Sequence, residues 1–477
     1  MVNLYFRTFE STHRILHIPS FRVEYERYWS QPETVTTDLR LRVLLVIGIG
    51  SSLYDHGDYD SGFRAMVHQW VYTAQAWLSG PMEKDRLDIS GIQIHCLTIL
   101  ARLIFSLGGD LVWISMGSLI HNAMQIGLHR DPKHLPAMSV LQAEVRRRLW
   151  VTVLEMIVQS SLDSAMPPRI SFDEFDTEPP SNNNDDEMDE TTTVLQAHPI
   201  DTYTSTSMQL LLFDSLPTRL RIVQLLNGLH SELSYTDVLM LSSEITNACR
   251  ACSALGKGSE GSNVTAFHRN MLDNLVRRFL LPLHCPFASK ARTNPLFHYS
   301  LKVSLDAALT IVSPEPDEDF SRFMAMGGGM FREGKRYVST TIGLELIAQV
   351  ETQSLDGTLH RNARSRELLK QAINDIIALS EERIRMGETN VKSHMFLCMI
   401  MAQVEAVESG VPCEPKIAQR ARDSLELSYG LLQARADTLA VPTSIGASLT
   451  SMSPGVGQDG YGFDLDWELF MPDEGYP

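Results

Sequence analysis

The sequence predicts an all-α protein: two packed helical lobes, an acidic flexible loop between them and a disordered C-terminal tail. Three observations carry that expectation. Apolar residues recur at three-to-four spacing along most of the chain, including the long stretch from Arg366 to Val407. Sustained period-two alternation bounded by hairpin turns is not evident. A hydrophobic content of 44% over 477 residues is enough for a large core.

The first lobe is assigned to residues 1–177. Within it, Gly108-Gly-Asp110 offers an N-cap, since a short side-chain oxygen can accept the free N–H groups of a first turn. Val112, Met116, Leu119, Ile120, Ala123 and Gly127 then recur at helical spacing as one buried stripe. Pro132 disfavours a helical Asp131, so this helix is expected to stop near His129. After a loop carrying Pro136, a second helix has Leu141, Val145, Leu149 and Val153 as its buried face. Glu144 and Arg148 lie four apart on it in the favourable acid-before-base order. Arg146, Arg147 and Arg148 point in different directions around that helix, which predicts a solvated, salt-bridged surface rather than a phosphate clamp. His129 reads as a capping or core histidine, because no second His or Cys lies at ligand spacing.

Residues 178–206 form the acidic polar loop, opening with Glu178-Pro-Pro-Ser-Asn-Asn-Asn-Asp-Asp-Glu-Met-Asp-Glu190, a composition that predicts a flexible surface segment. The second lobe is assigned to residues 207–434, interrupted around 256–262 and 314–319. Glycines and prolines then mark a tail over 435–477. It carries Phe463, Asp464, Leu465, Asp466, Trp467, Glu468, Leu469 and Phe470, with acids alternating with large apolar residues. That is the composition of an activation segment whose aromatic face fits a coactivator groove; docking back on the body is the competing reading.

Composition narrows function. A formal charge of −17 gives no basic footprint for gripping nucleic acid. The longest apolar run, Val43 to Ile49, is too short to span a bilayer. Cys96, Cys249, Cys252, Cys285, Cys398 and Cys413 are scattered, as free thiols in a reducing compartment would be. Only Cys249-Arg-Ala-Cys252 has ligand-like spacing, and a lone CxxC inside a helical pattern reads as two small apolar residues. No catalytic or metal-binding residue is therefore assigned. A terpene-cyclase-like enzyme is the remote alternative, resting on Asp185-Asp186-Glu-Met-Asp189 and on Asn374-Asp375 through Glu382 as magnesium motifs. The first of these lies among Asn, Ser and Thr without an apolar stripe, and the second has Ala378 where a hydroxyl ligand is expected.

His129, Arg130, Asp131 and Pro132, followed by Glu144, Arg146, Arg147, Arg148 and Trp150 and then by Pro167, resemble the signature of a known family. It is the fungal-specific transcription factor regulatory (middle homology) domain of zinc-cluster transcription factors. Tyr5-Phe6, Ile15 to Phe21, Tyr25 to Trp29, Leu281 to Phe287, Leu305 to Leu309 and Gly327 to Glu333 are similar to other parts of such regulators. The resemblance implies a nuclear transcriptional regulator, of a metabolic (secondary-metabolite) gene cluster. This chain would be its regulatory and effector body. Promoter DNA would be reached indirectly, through a zinc-cluster module upstream of Met1 or through a partner factor. The resemblance implies no cofactor in this chain, zinc belonging only to such an upstream module. Transcription machinery or a coactivator, a homo- or heterodimer and a small-molecule effector are the implied partners. The alternative is a regulator without DNA binding that heteromerises with related factors and titrates them.

Overall fold

The computed structural model describes residues 1–54, 60–80, 86–108, 111–256, 264–326 and 328–440. Among them the chain forms seventeen α-helices and no strand. The tail residues Phe463 to Phe470 and the cap residue Asp110 lie outside the described residues.

The first seven helices are α1 (Val2–Thr8), α2 (Ile18–Ser30), α3 (Thr37–Ser51), α4 (Asp60–Ser79), α5 (Ile89–Phe105), α6 (Val112–Gln125) and α7 (Val140–Asp163). At the centre lies α5, started by Asp88, whose carboxylate accepts from the Gly91 N–H at 2.8 Å. Every residue from Gly91 to Arg102 is buried, because α3, α4, α6 and α7 surround this helix. Buried Val112, Met116, Leu119, Ile120 and Ala123 form the expected stripe of α6. That helix stops at Gln125, one turn before the point Pro132 suggested. Gly127 is the reason: its φ of 76° lets the Leu128 N–H reach the Ala123 carbonyl at 2.9 Å and its own N–H reach Met124 at 2.9 Å. Those paired bonds close a helix C-terminus around a left-handed residue. Gly127 is thus a cap and not part of the stripe.

Between α7 and α8 (Ser207–Asn227) the chain makes only short 3-10 turns. There follow α9 (Tyr235–Ala254), α10 (Ala266–Arg277), α11 (Leu280–Ala288), α12 (His298–Val312) and α13 (Glu318–Met326). The last four are α14 (Gly328–Leu355), α15 (Ala363–Arg385), α16 (Lys392–Ser409) and α17 (Cys413–Ala440). The periodic stretch from Arg366 to Val407 is two helices, parted at Gly387, which has a φ of 97°. Among the described residues no helix is long and apolar enough to cross a membrane.

The sequence halves share one core, a continuous apolar cluster running from Tyr5 in α1 to Val404 in α16. Aromatic rings make one seam of it. Phe9 stands edge-on to Phe323 at 5.1 Å, Phe323 to Phe331 at 5.0 Å, and Phe267 to Phe320 at 5.7 Å. A second seam joins α5 to α14. A Cβ on Gly329 would stand 2.5 Å from the Leu103 carbonyl oxygen, so only glycine permits that backbone approach.

Two substitutions in α14 should therefore act in opposite directions. Gly329→Ala must push α14 off α5 and is expected to destabilise by about 1–3 kcal/mol, the usual overpacking cost. Gly334→Ala, with nothing within 4 Å of its Cβ, gains helix propensity and should stabilise by up to about 1 kcal/mol. Urea-unfolding midpoints of the two variants check both signs.

Candidate functional site

The signature residues converge on two ionic nodes linked by α7. The first is the Asp185 carboxylate. It pairs with Arg14, accepts from Arg148 Nη1 at 2.6 Å and from the Ile18 N–H at 2.9 Å, and has the Ser205 hydroxyl at 3.4 Å. The Asp185 carbonyl oxygen meets His17 Nε2 at 2.9 Å. Arg148 also donates from Nε to Glu144 at 3.3 Å, and Glu144 accepts the Ser181 N–H at 2.9 Å. Side-chain exposures of 1% for Arg14, 3% for Arg148, 2% for Glu144 and 7% for Asp185 make this a buried cluster. Burial alone would raise the Asp185 carboxyl, but Arg14, Arg148 and the Ile18 N–H outweigh it and hold it at about 2.

Beside this node Glu10 is completely buried, accepting from the Tyr5 hydroxyl at 2.7 Å and from the Leu16 N–H at 2.8 Å. Burial pushes its carboxyl up to about 8 against the opposing pull of Arg14 and Tyr5. Near neutral pH Glu10 is therefore mostly protonated, and Arg14 and Arg148 share the Asp185 carboxylate, with Glu144 beside Arg148.

The second node is Asp131. It caps its own turn through the Lys133 N–H at 3.0 Å and accepts the Glu178 N–H at 3.1 Å. Arg147 grips it with both Nε, at 2.9 Å, and Nη2, at 3.0 Å. Burial opposes ionisation here too, yet Arg147 and the two amides bring the carboxyl down to about 2. The chain around it runs alongside 176–178: the Asp131 N–H reaches the Asp176 carboxylate at 2.8 Å, the Asp176 N–H reaches the His129 carbonyl at 3.0 Å, and the Thr177 hydroxyl reaches the Leu128 carbonyl at 2.7 Å. Pro132 is buried in this turn, and Arg130 pairs at the surface with Asp176 at 3.2 Å.

The arginine run is thus not a solvated face. Arg146 donates to the Ile126 carbonyl at 2.6 Å, completing the end of α6, while Arg147 serves Asp131 and Arg148 serves Asp185. Consecutive residues on a helix point about 100° apart, and α7 is flanked closely enough for all three directions to find partners. Trp150 is fully buried, with Phe175 edge-on at 5.6 Å and the half-buried His129 ring at 6.4 Å. Pro167 sits half-buried in the turn after α7.

The acidic segment is corrected as well. Irregular as expected, it is nonetheless fastened to the body rather than left in solvent. Besides Asp185, the buried Asn182 donates to the Pro199 and Thr202 carbonyls at 2.8 and 3.0 Å, and buried Asn183 donates to Gln196 at 2.9 Å. The magnesium-like motif comes apart for the same reason. Asp185 is held by arginines, Asp186 is exposed, and Asp189 accepts from Thr191. Asp375 lies exposed on α15 beside Gln371. Cys249 and Cys252 are buried on α9 with thiols pushed up to about 12 by burial. Among the described residues no three His, Cys, Asp or Glu side chains come together as a metal site.

Sequence reasoning missed Arg14 and the partnership of Asp185. It also missed Glu155, which takes Arg219 in a fully buried bidentate pair at 2.7 Å and so joins α7 to α8. Pairs this far apart in sequence leave no local signal. The arrangement is a fastening between the N-terminal segment, α7, the 178–206 segment and the start of α8, and it positions no nucleophile or base for chemistry.

Residues 2–242, a little over half of the chain, match the fungal specific transcription factor domain. Transcription factor asR3 of Sarocladium schorii is 46% identical over 99% of this chain and 61% of its own length. Transcription factor lepE of Aspergillus flavus is 36% identical over 92% of this chain and 55% of its own. Aspyridones cluster regulator apdR of Emericella nidulans is 31% identical over 80% and 54%. The chain thus spans between half and two thirds of the length of these relatives. No solved structure matches it.

Asp185→Asn should expose how much rests on the first node. It leaves Arg14 and Arg148 buried without their carboxylate, which costs about 3–5 kcal/mol. The acid response should change too. A folded value of about 2, below the ordinary 3.8, contributes stability that is complete above pH 4 and is lost as pH falls toward 2. That part amounts to about 2 kcal/mol. Chemical denaturation from pH 7 down to pH 2 is expected to show lower stability for the variant at neutral pH and a shallower decline on acidification.

Proposed function

The chain belongs to the fungal specific transcription factor domain family, and from that membership we propose that it is the regulatory body of a nuclear transcriptional regulator of a secondary-metabolite gene cluster. The observation that carries this is the domain match over residues 2–242 together with relatives named as transcription factors, one of them as a cluster regulator. No catalytic role is assigned. Promoter DNA would be reached through a zinc-cluster module outside the sequence in hand, or through a partner factor. Two features support indirect contact. The overall charge is −17, and the arginines of the signature are occupied by Ile126, Asp131, Asp185 and Glu144 within the fold, so they are not free for phosphates. Among the described residues the cysteines do not assemble a zinc site, in keeping with zinc belonging to an upstream module. A coactivator, a second copy or related factor, and a small effector are the partners in this reading, with the acidic-aromatic segment Phe463 to Phe470 as the activating element.

Deleting the gene should silence a contiguous set of biosynthetic genes in RNA sequencing, and restoring it should recover them; an unchanged transcript profile under producing conditions overturns the reading. For the tail, residues 435–477 fused to a heterologous DNA-binding domain should activate a reporter. Replacing Trp467 and Phe470 with alanine should return that reporter to background.

A further inference from the structure

One cavity in this fold is built from cations. It has a volume of about 320 Å³ and lies where α4 and the end of α5 meet α13, the α15–α16 turn and α17. Its charged lining is Arg64, Arg383 and Arg435 against Glu388, an excess of positive charge in a chain whose formal charge is −17. Arg64 donates to the Met386 carbonyl and lies over the Phe105 ring at 5.9 Å, and Arg435 donates to the Arg385 carbonyl at 3.0 Å. Gly387 makes room for that arginine, since a Cβ there would stand 2.8 Å from Arg435 Nε.

Arg383 is different. It is 5% exposed, and its Nε and Nη2 have no hydrogen-bond partner. Glu388 stands 3.9 Å from Nη2, too far for a hydrogen bond. His68, also in the lining, has its Nε2 likewise buried without a partner. Burial, with Arg64 and Arg435 nearby, takes that imidazole down to about 4, so it is neutral and can present an N–H in the appropriate tautomer. A buried guanidinium with two idle donors is an expensive arrangement unless an anion completes it. Of the remaining wall, Phe105, Leu107, Ala325 and Met326 are apolar, while Ser106 and Thr389 are polar. Planar paired donors beside an apolar wall suit a carboxylate carrying a hydrocarbon body better than a bare phosphate.

We propose that this cavity binds a small organic acid, whose carboxylate pairs with Arg383 and faces His68 while its hydrocarbon part lies on Phe105, Leu107 and Met326. The site goes beyond the regulatory reading and is tested by direct binding, so failure of one leaves the other standing. The full chain is titrated with sodium octanoate, with octanol as the uncharged counterpart and with sodium phosphate, by calorimetry and by thermal unfolding. Octanoate is expected to bind and to raise the unfolding temperature, while octanol and phosphate do so far less. Arg383→Met should raise the resting unfolding temperature, because it removes a buried charge whose Nε and Nη2 lack hydrogen bonds, and should weaken octanoate by about tenfold or more. Glu388→Gln, which removes the competing carboxylate, should tighten it. Three results would overturn the proposal: no stabilisation by octanoate, equal stabilisation by octanol or phosphate, or octanoate binding that Arg383→Met leaves unchanged. Loss of stability in both variants would also sink it, because it would make Glu388 the structural partner of Arg383.

Discussion

Four pieces of chain meet at one carboxylate. Asp185 receives Arg14 and the Ile18 N–H from the N-terminal segment, Arg148 from α7 and the Ser205 hydroxyl from the entry to α8, while being itself carried by an irregular segment. Arg14 and Arg148 are both almost fully buried, and without it each would be an unmatched charge in a medium that solvates it poorly. Glu144 pairs with Arg148 as well, so a 24-residue helix, α7, lies buried on several sides while still carrying consecutive arginines.

The same logic explains which parts of this fold could be read from the chain. Periodicity found the stripe of α6, since burying one face of a helix imposes its spacing on the sequence directly; in α7 Val145 is only half-buried, and every residue from Arg148 to Ser161 is buried. Helix ends were less legible. The Pro132 argument placed the end of α6 too late, because Gly127 acts first: its left-handed backbone closes the helix before the proline's steric effect applies. The acidic segment was misjudged for a deeper reason. Asn182, Asn183 and Asp185 are polar, and polarity predicts solvent, yet each is buried because its partners arrive from segments far away in sequence. Composition reports how a side chain would fare in isolation. It carries no information about a guanidinium folded against it from Arg14, 171 residues earlier.

That limitation bears on function as well. A run of three arginines invites a nucleic-acid reading, and a solvated-surface reading is the cautious alternative. Neither holds, because each guanidinium has an acceptor within the protein. A body of this kind contributes rigidity and shape. Recognition of DNA relies on accessible cations for most of its affinity, and these three are engaged within the fold.

Magnitudes decide where a ligand could act on such a body. Opening the Asp185 cluster would strand buried charges at a cost of about 3–5 kcal/mol. A single carboxylate gripping Arg383 contributes about 1.5–3 kcal/mol through charged hydrogen bonds. A ligand shifts an equilibrium only by its differential affinity for the two states, so a small acid cannot open the cluster. The cavity side is softer. The side chains of Arg383 and Glu388 are not hydrogen-bonded to each other, and α15 turns into α16 at Gly387 beside Arg435. The Asp185 cluster is thus the fixed part of the fold, and the face carrying Arg383 and Arg435 is the one a bound anion would reach.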